Sequence, residues 1–404
     1  QQVQVVLKPR ASDQAVEQQL VEPGTPHRKP PTLAVLPDIA TQSVADSGKI
    51  VPAARCYSAA GFSTTPYLPA ARSYFTVGGE LQALSANLTS PLLYFDRTAF
   101  TAAGLDPKKP PTTLDQLYQD ALALKTHNPT VTPLAMTASS FWIETWLSGA
   151  ATTLVNNDNG RAGLANGSTF NNSRSLAIYK WLERMWSAQL IDLLPDVPDQ
   201  HAQLVDLATR RSAMLIDMSS RIADLDALES DTLDPTTWGL PATTVLPPAG
   251  APVDLDAAPM PGLDVAGRGQ ISGSAWYLSA GLTPAEEAAA WTFMTWWNQP
   301  EQQAQWSLES SYLPYTDAAV SNEQVQQQWG HTRAGRWLDT AYTEMTDFDT
   351  QNPGPLIGPY AGVRAAVVQA ITMVTSANMD PQVALDETDP AITAELIEYQ
   401  LVHS

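Results

Sequence analysis

The stretch Thr89-Ser-Pro-Leu-Leu-Tyr-Phe-Asp-Arg-Thr-Ala-Phe-Thr-Ala-Ala-Gly-Leu-Asp-Pro-Lys-Lys-Pro-Pro-Thr-Thr-Leu-Asp-Gln-Leu117 reads as a strand, a short helix, a stop and a second helix start. Leu92–Phe95 is an apolar run of strand length. Asp96 is placed to cap a brief helix that ends at Gly104, since glycine adopts the left-handed C-cap conformation without penalty. Pro107, Pro110 and Pro111 forbid helix beyond it, and Thr112-x-x-Asp115 predicts a capping-box start to the next.

Working outward, the same alternation recurs. Gln4–Leu7 is predicted as a strand, Ser12–Val21 as a helix, Gly24–Pro31 as a turn-rich connection, and Leu33–Leu36 as a buried strand. That strand ends in Pro37-Asp38, with a helix over Ile39–Ala45. Buried strands alternating with helices point to an α/β protein with a largely parallel sheet. Ligands of such open sheets sit beyond the carboxyl ends of the strands, the place that Asp38 occupies. Gly78-Gly79 supplies a hairpin turn within Tyr74–Gln82. Helices are predicted over Thr113–Thr126, Phe141–Ala150 and Ser173–Gln189, strands over Thr132–Met136 and Ala213–Ile216, and an irregular proline-rich connection over Pro241–Pro261. Thr283-Pro-Ala-Glu286 combines an N-cap, an N1 proline and an N3 glutamate, a strong helix start.

The 404 residues allow two or three lobes with separate cores. No apolar run reaches 18 residues, so none of the chain is predicted to cross a membrane as a helix. The formal net charge is −20, and no lysine follows Lys180. A basic stripe for phosphate backbones is therefore missing, and nucleic acid is not an expected partner. Cys56 stands alone, which permits no internal disulfide or thiolate cage and suits a small buried hydrophobe. The histidines show no metal-ligand spacing. Asn156–Gly160 lacks the closing glutamate of a calcium loop and reads as a polar turn. Neither a metal nor a cofactor is expected. No nucleophilic triad motif or phosphate-cradling glycine loop occurs, and with 42 acidic residues a chance carboxylate pair carries no information.

Leu-Tyr-Phe-Asp and Ala-Gly-Leu-Asp-Pro in the opening stretch closely resemble the crossover between the two lobes of family 1 extracellular solute-binding proteins, the capture subunits of ABC importers. Gly273-Ser-Ala-Trp-Tyr-Leu278 is similar to the family's return strand, and Ser311-Tyr-Leu-Pro-Tyr315 to its third crossover. The resemblance covers nearly the whole chain and is closest to the subgroup binding glycerol 3-phosphate and oligosaccharides. It implies a two-lobed α/β fold of the type II periplasmic-binding-protein kind. Residues 1–89 with 274–312 would form one lobe, and 90–273 with 313–404 the other. The family is normally exported and lipid-anchored. The chain opens Gln-Gln-Val-Gln, without a visible leader, and lacks the family's usual first strand and helix, so a processed or trimmed form is expected, with the anchor belonging to the full-length precursor.

By that resemblance the ligand contacts would be Asp38, Thr89, Ser90, Trp142, Glu144, Ser219, Gly273, Ser274, Tyr312 and Arg364. Each has a plainer reading. Asp38 and Ser219 are placed to cap the helices after them, and Thr89 and Ser90 to shape a hinge. Trp142 fits a core, and Gly273 answers a backbone requirement. Arg364 suits a phosphate or carboxylate but equally a sugar hydroxyl or a neighbouring acid. With Asp38 and Glu144 in the cleft, an acidic site is expected that prefers a neutral or amino sugar, or else a sugar phosphate. The alternatives are glycerol 3-phosphate or a glycerophosphodiester and, more distantly, a secreted glycoside hydrolase. Two membrane permease subunits are the implied partners, and a monomer is expected.

Overall fold

The structure, a computed structural model, describes residues 3–21, 29–196, 201–247, 253–265 and 268–403. The Gly24–Pro31 and Pro241–Pro261 connections fall partly outside them. In chain order the strands are β1 (Leu33–Pro37), β2 (Ile50–Val51), β3 (Thr76–Val77), β4 (Glu80–Leu81), β5 (Leu84–Thr89), β6 (Pro91–Asp96), β7 (Leu134–Thr137), β8 (Ile191–Leu194), β9 (Met214–Met218), β10 (Leu255–Pro259) and β11 (Ser272–Ser279). They form two main sheets, one per lobe. The first places β11 at its centre, with β1 on one side and β2 and β5 on the other; the second runs β10-β6-β9-β7-β8. β3 and β4 make the expected hairpin, with positive φ at Gly78 and Gly79.

Parallel pairing is the minority, contrary to the expectation from strand–helix alternation. β1, β2 and β5 all run antiparallel to β11, and β6 is antiparallel to both β9 and β10. Only β7 pairs in parallel among the described strands, with β8 and β9. The reason is the return strand: β11 enters the first sheet from the far end of the chain and separates β1 from β5. Two further expectations fail. Gln4–Leu7 forms no strand and is exposed, Leu7 by 80%. Leu255–Pro259, read as irregular, is instead the edge strand β10, where a terminal proline forfeits no ladder bond that matters.

Local signals that depend only on neighbouring residues hold closely. The Asp96 carboxylate accepts from the Thr98 and Ala99 amides at 2.8 and 3.1 Å, starting the helix Arg97–Ala102, and Gly104 has φ +80°. Thr283 and Glu286 close the capping box of the helix Pro284–Trp297. The next cap falls one residue later than expected, on Thr113, because Gln116 reaches back to the Thr112 amide.

One cluster of buried side chains joins the first sheet (Leu36, Leu88, Tyr277) to the helix Arg333–Thr346 through Trp337 and Leu338. A second fills the other lobe around Phe95, Trp146, Tyr179 and Val367. β5 ends at Thr89 and β6 begins at Pro91, so a single residue, Ser90, carries this crossing between the sheets.

Candidate functional site

Two helices of the second lobe set up its charged centre. Ser140–Gly149 is buried on nearly every side, so Glu144, 1% exposed, needs partners where it lies. They come from the helix Tyr360–Val374. Arg364 Nε and Nη2 donate to the two Glu144 oxygens at 2.9 Å each, a two-pronged ion pair. Tyr360, one turn before Arg364, places its ring 4.7 Å from the guanidinium and donates its hydroxyl to Glu144 at 3.2 Å. Ser140 and Gln270 complete the set at 2.9 and 3.3 Å. Burial pushes the Glu144 carboxyl upward more strongly than any other single cause, but the Arg364 charge together with the hydrogen bonds from Arg364, Ser140 and Gln270 holds the group below its ordinary value.

The first lobe brings Asp38 to the same place. It follows β1 directly and is 4% exposed. Oδ1 accepts from the Ile39 amide at 2.9 Å, whereas Oδ2 has no hydrogen-bond partner. Burial raises the carboxyl to about 6, against the pull of Arg364. The Ser272 hydroxyl, at the start of β11, also favours the charged form, although it completes no hydrogen bond to Oδ2. Asp38, Glu144 and Arg364 are thus drawn together where the lobes meet.

Sequence reasoning missed two members of this group. Tyr74 ends the helix Pro69–Tyr74 of the first lobe, is 1% exposed, and has a hydroxyl without a partner. Burial, reinforced by the Asp38 charge, drives that phenol well above its ordinary value. Arg161 follows Gly160 in the asparagine-rich loop of the second lobe. Its Nε donates to the Gly354 carbonyl at 2.9 Å and its Nη1 to the Ser73 carbonyl of the first lobe at 3.0 Å. The guanidinium lies 5.4 Å from the Tyr74 ring centroid, and Nη2 is shut off from solvent without a partner. The hydrophobic periodicity around Arg161 carries no hint of this. The only available signal was an arginine directly after the turn glycine of a polar loop.

Asp38 and Glu144 do lie at the interface, and Asp349 lines a cavity beside Tyr74, but Arg161 and Arg364 stand with them, so the acidic groups are met there by two guanidinium groups. That cavity, lined by Ala70, Ser73, Gln270, Phe348 and Thr350 among others, measures about 10 Å³. That is room for about one water, whereas small-molecule sites occupy roughly 300–1,000 Å³. The lobes are closed on one another here.

The other expected contacts lie in separate settings. Thr89, Ser90 and Ser219 lie together at the crossing between the sheets. Thr89 Oγ1 and Ser219 Oγ are 2.8 Å apart, the Ser90 amide donates to Ser219 Oγ at 3.2 Å, and Ser90 Oγ donates to the Ala341 carbonyl at 3.1 Å. All three are buried, and their hydroxyls tie the crossover to its surroundings. The Ser274 amide and hydroxyl both donate to Asn87 Oδ1, at 3.1 and 2.9 Å. Trp142 is 4% exposed, packs edge-on to Phe141, and donates its indole N–H to Thr137 at 3.1 Å. Tyr312 is half-buried and stacked on Trp306, with ring centroids 6.1 Å apart.

Gly273 has φ +154°, and a Cβ there would stand 2.1 Å from the Asn87 carbonyl oxygen of β5. Its backbone reading is the one the geometry favours. Gly273→Ala is therefore expected to destabilise the protein by about 1–3 kcal/mol through overpacking. A urea midpoint unchanged from wild type would show that β11 and β5 are not held this closely.

Residues 1–333 match the sequence profile of the bacterial extracellular solute-binding proteins. The sn-glycerol-3-phosphate-binding periplasmic protein UgpB of Pectobacterium atrosepticum is 22% identical over 364 residues, covering 88% of this chain and 76% of that protein. UgpB of Rhizobium meliloti is 32% identical over 123 residues, but the match spans only 29% of this chain and 28% of that relative's length. Among solved structures, the sugar-binding protein MalE of Xanthomonas citri superposes with a TM-score of 0.74 at 13% identity, covering 92% of this chain and 85% of the other. UgpB of Mycobacterium tuberculosis in complex with glycerophosphocholine does so with 0.71 at 16%, covering 96% and 89%. Two sheets joined through Ser90, charged groups gathered where the lobes meet, and a profile match over most of the chain lead to one assignment: the chain belongs to the bacterial extracellular solute-binding protein family.

Proposed function

We propose that this protein is the solute receptor of an ABC importer, capturing a polyhydroxylated ligand of the saccharide or glycerophosphate kind between its lobes. The observation that carries this reading is the set of unpartnered polar atoms at the lobe interface. Asp38 Oδ2, Tyr74 OH and Arg161 Nη2 are all buried without hydrogen bonds. Leaving such atoms unpaired is costly, so groups of this kind mark places where a ligand or water completes the bonding. An acceptor, a phenol and a donor together suit a ligand rich in hydroxyl and oxygen groups.

In this reading Asp38 and Arg364 contact the ligand, with Glu144 fixing the arginine. Thr89, Ser90 and Ser219 act as the hinge, and Gly273 and Ser274 set the start of the central strand β11 beside it. Trp142 supports the site from the core, and Tyr312 offers its ring where the lobes part. The lobes comprise residues 1–89 with 274–312 and 90–273 with 313–404. Ligand shifts the balance toward closure only by its preference for the closed form. That form would dock, as a monomer, on two membrane permease subunits, outside the cytoplasm and from a lipid-anchored precursor.

Hydrolysis of a glycoside is the weaker reading. It needs a second carboxylate free to attack or to activate water, and both Glu144 oxygens are occupied by Arg364 and its neighbours.

The test is a thermal-shift screen against neutral sugars, amino sugars, sugar phosphates and glycerophosphodiesters. A specific ligand at a hundred times its Kd stabilises the folded state by about 2.7 kcal/mol. At least one class is expected to raise the melting temperature in wild type, and Asp38→Ala is expected to lose that rise. A panel without any shift, or release of free sugar from a glycoside, would count against a receptor.

A further inference from the structure

Arg161 and Arg364 both stand at the lobe interface, yet their charges are handled differently. Arg364 is matched by Glu144 through two short hydrogen bonds. Arg161 makes no ion pair among the described residues: its two hydrogen-bonding nitrogens meet neutral backbone carbonyls, and Asp158 acts on it only from beyond ion-pair distance. Burial lowers its pKa, the sign that its charge is held without adequate compensation. A guanidinium withdrawn from water without a counter-ion is a costly arrangement.

Arg161 is also held firmly in place. Nε is anchored to Gly354 in its own lobe, and Nη1 reaches across to Ser73. The Ser73 carbonyl is one of the last in the helix Pro69–Tyr74 and also accepts from the Phe75 amide that closes it; carbonyls at a helix C-terminus carry partial negative charge. These two bonds fix the plane of the guanidinium and leave Nη2 as its buried, unsatisfied nitrogen. Tyr74, under that plane, has an unpartnered hydroxyl and is 1% exposed; Asp38, coupled electrostatically to Tyr74, has an unpartnered oxygen and is 4% exposed.

We propose that Arg161 is a specificity-determining residue of the inter-lobe site: its Nη2 takes an oxyanion of the solute, phosphate or carboxylate, while Nε and Nη1 clamp the closed lobes. This rests on the receptor reading above and adds what that reading leaves open. Arg161, not Arg364, supplies the uncompensated positive charge, so the solute is a polyol bearing an acidic group. Asp38 and Tyr74 face the hydroxyls of the same molecule.

The experiment measures Kd by calorimetric titration for matched probes: glucose, glucose 6-phosphate and glucuronate, and glycerol with glycerol 3-phosphate. The proteins are wild type, Arg161→Gln and Arg161→Lys. Wild type is expected to bind an acidic probe at least about tenfold tighter than its neutral counterpart, the scale of one charge-assisted hydrogen bond. Arg161→Gln is expected to abolish that ratio, and Arg161→Lys to restore part of it. Taking the ratio within each protein cancels any change in closure caused by loss of the bridge to Ser73. If neutral and acidic probes bind wild type equally, or if Arg161→Gln keeps the acidic preference, the Arg161 proposal is overturned while the receptor reading stands. If none of the probes binds and the wider screen is also silent, the receptor reading fails and Arg161 loses its role with it.

Discussion

Glu144→Ala is expected to lower the stability of the ligand-free protein by about 3–5 kcal/mol, the loss associated with removing one partner of a buried ion pair. The Glu144 carboxylate accepts from both prongs of Arg364, from Ser140, from Gln270 and from Tyr360. Its side chain has no solvent exposure, whereas that of Arg364 is 24% exposed. Removal of the carboxylate therefore takes this acceptor from a mostly buried guanidinium, the Ser140 hydroxyl and the Gln270 amide, while the Tyr360 phenol keeps the Pro355 carbonyl at 3.1 Å. Partial access of water to Arg364 draws the effect toward the lower end of that range. Two controls separate this account from a simple packing loss. Glu144→Gln keeps the volume and most acceptor positions but not the charge, and is expected to recover only part of the stability. The double variant Glu144→Leu, Arg364→Met removes both charges and is expected to fall well short of the sum of the single effects. Urea unfolding of these three variants, with Glu144→Leu and Arg364→Met made singly for the sum, checks this. A Glu144→Ala protein within 1 kcal/mol of wild type would mean that water reaches the pair freely and that the lobe interface is open at rest.

What could be read from the sequence, and what could not, divides by the range of the interaction. Caps and turns are set within a few residues, so Asp96, Gly104, Gly78-Gly79 and the Thr283–Glu286 box were legible. Sheet order is set by residues far apart in the chain. Nothing in Leu33–Pro37 says that its partner is Ser274–Leu278, and the parallel sheet expected from alternation gave way to an antiparallel one around β11. The strand pattern of Gln4–Leu7 is genuine, yet such a segment becomes a strand only beside another, and it has none among the described residues. Asp38, Glu144 and Arg364 were legible as candidates because they sit at motif positions, but their pairing was not. The sequence shows acids and arginines without showing which of them neutralise each other. Arg161 was invisible for the same reason: its importance lies in Ser73, Tyr74 and Gly354, all at least 87 residues away. The polar loop that carries it looks like any other turn.

Asp38→Asn is expected to act in the opposite direction from Glu144→Ala, and only above a certain pH. The folded carboxyl is raised to about 6, while the ordinary value of 3.8 serves for the unfolded chain. Between those values the folded protein keeps a proton that the unfolded chain releases, so wild type loses stability as pH rises from about 4 to about 6. Asp38 is 4% exposed, so solvent screening reduces the effect little, and the raised value corresponds to roughly 3 kcal/mol. Arg364 and the Ile39 amide already oppose the rise, and Glu144 adds to it. Asparagine carries no charge at any of these pH values. The variant should therefore match wild type near pH 4 and exceed it at pH 7.5 by up to that amount, with the difference growing across the window. Comparing the two proteins at each pH removes the contribution of Glu229, whose carboxyl is also raised, to about 7. The same comparison with a stabilising solute from the screen should reverse the order at pH 7.5, because a ligand donor on Oδ2 compensates the buried charge in wild type alone. A carboxylate that destabilises the empty receptor and stabilises the loaded one belongs to binding. Parallel pH curves for wild type and Asp38→Asn would show instead that the Asp38 charge is already compensated in the resting protein, and the place of Asp38 in the site would fall.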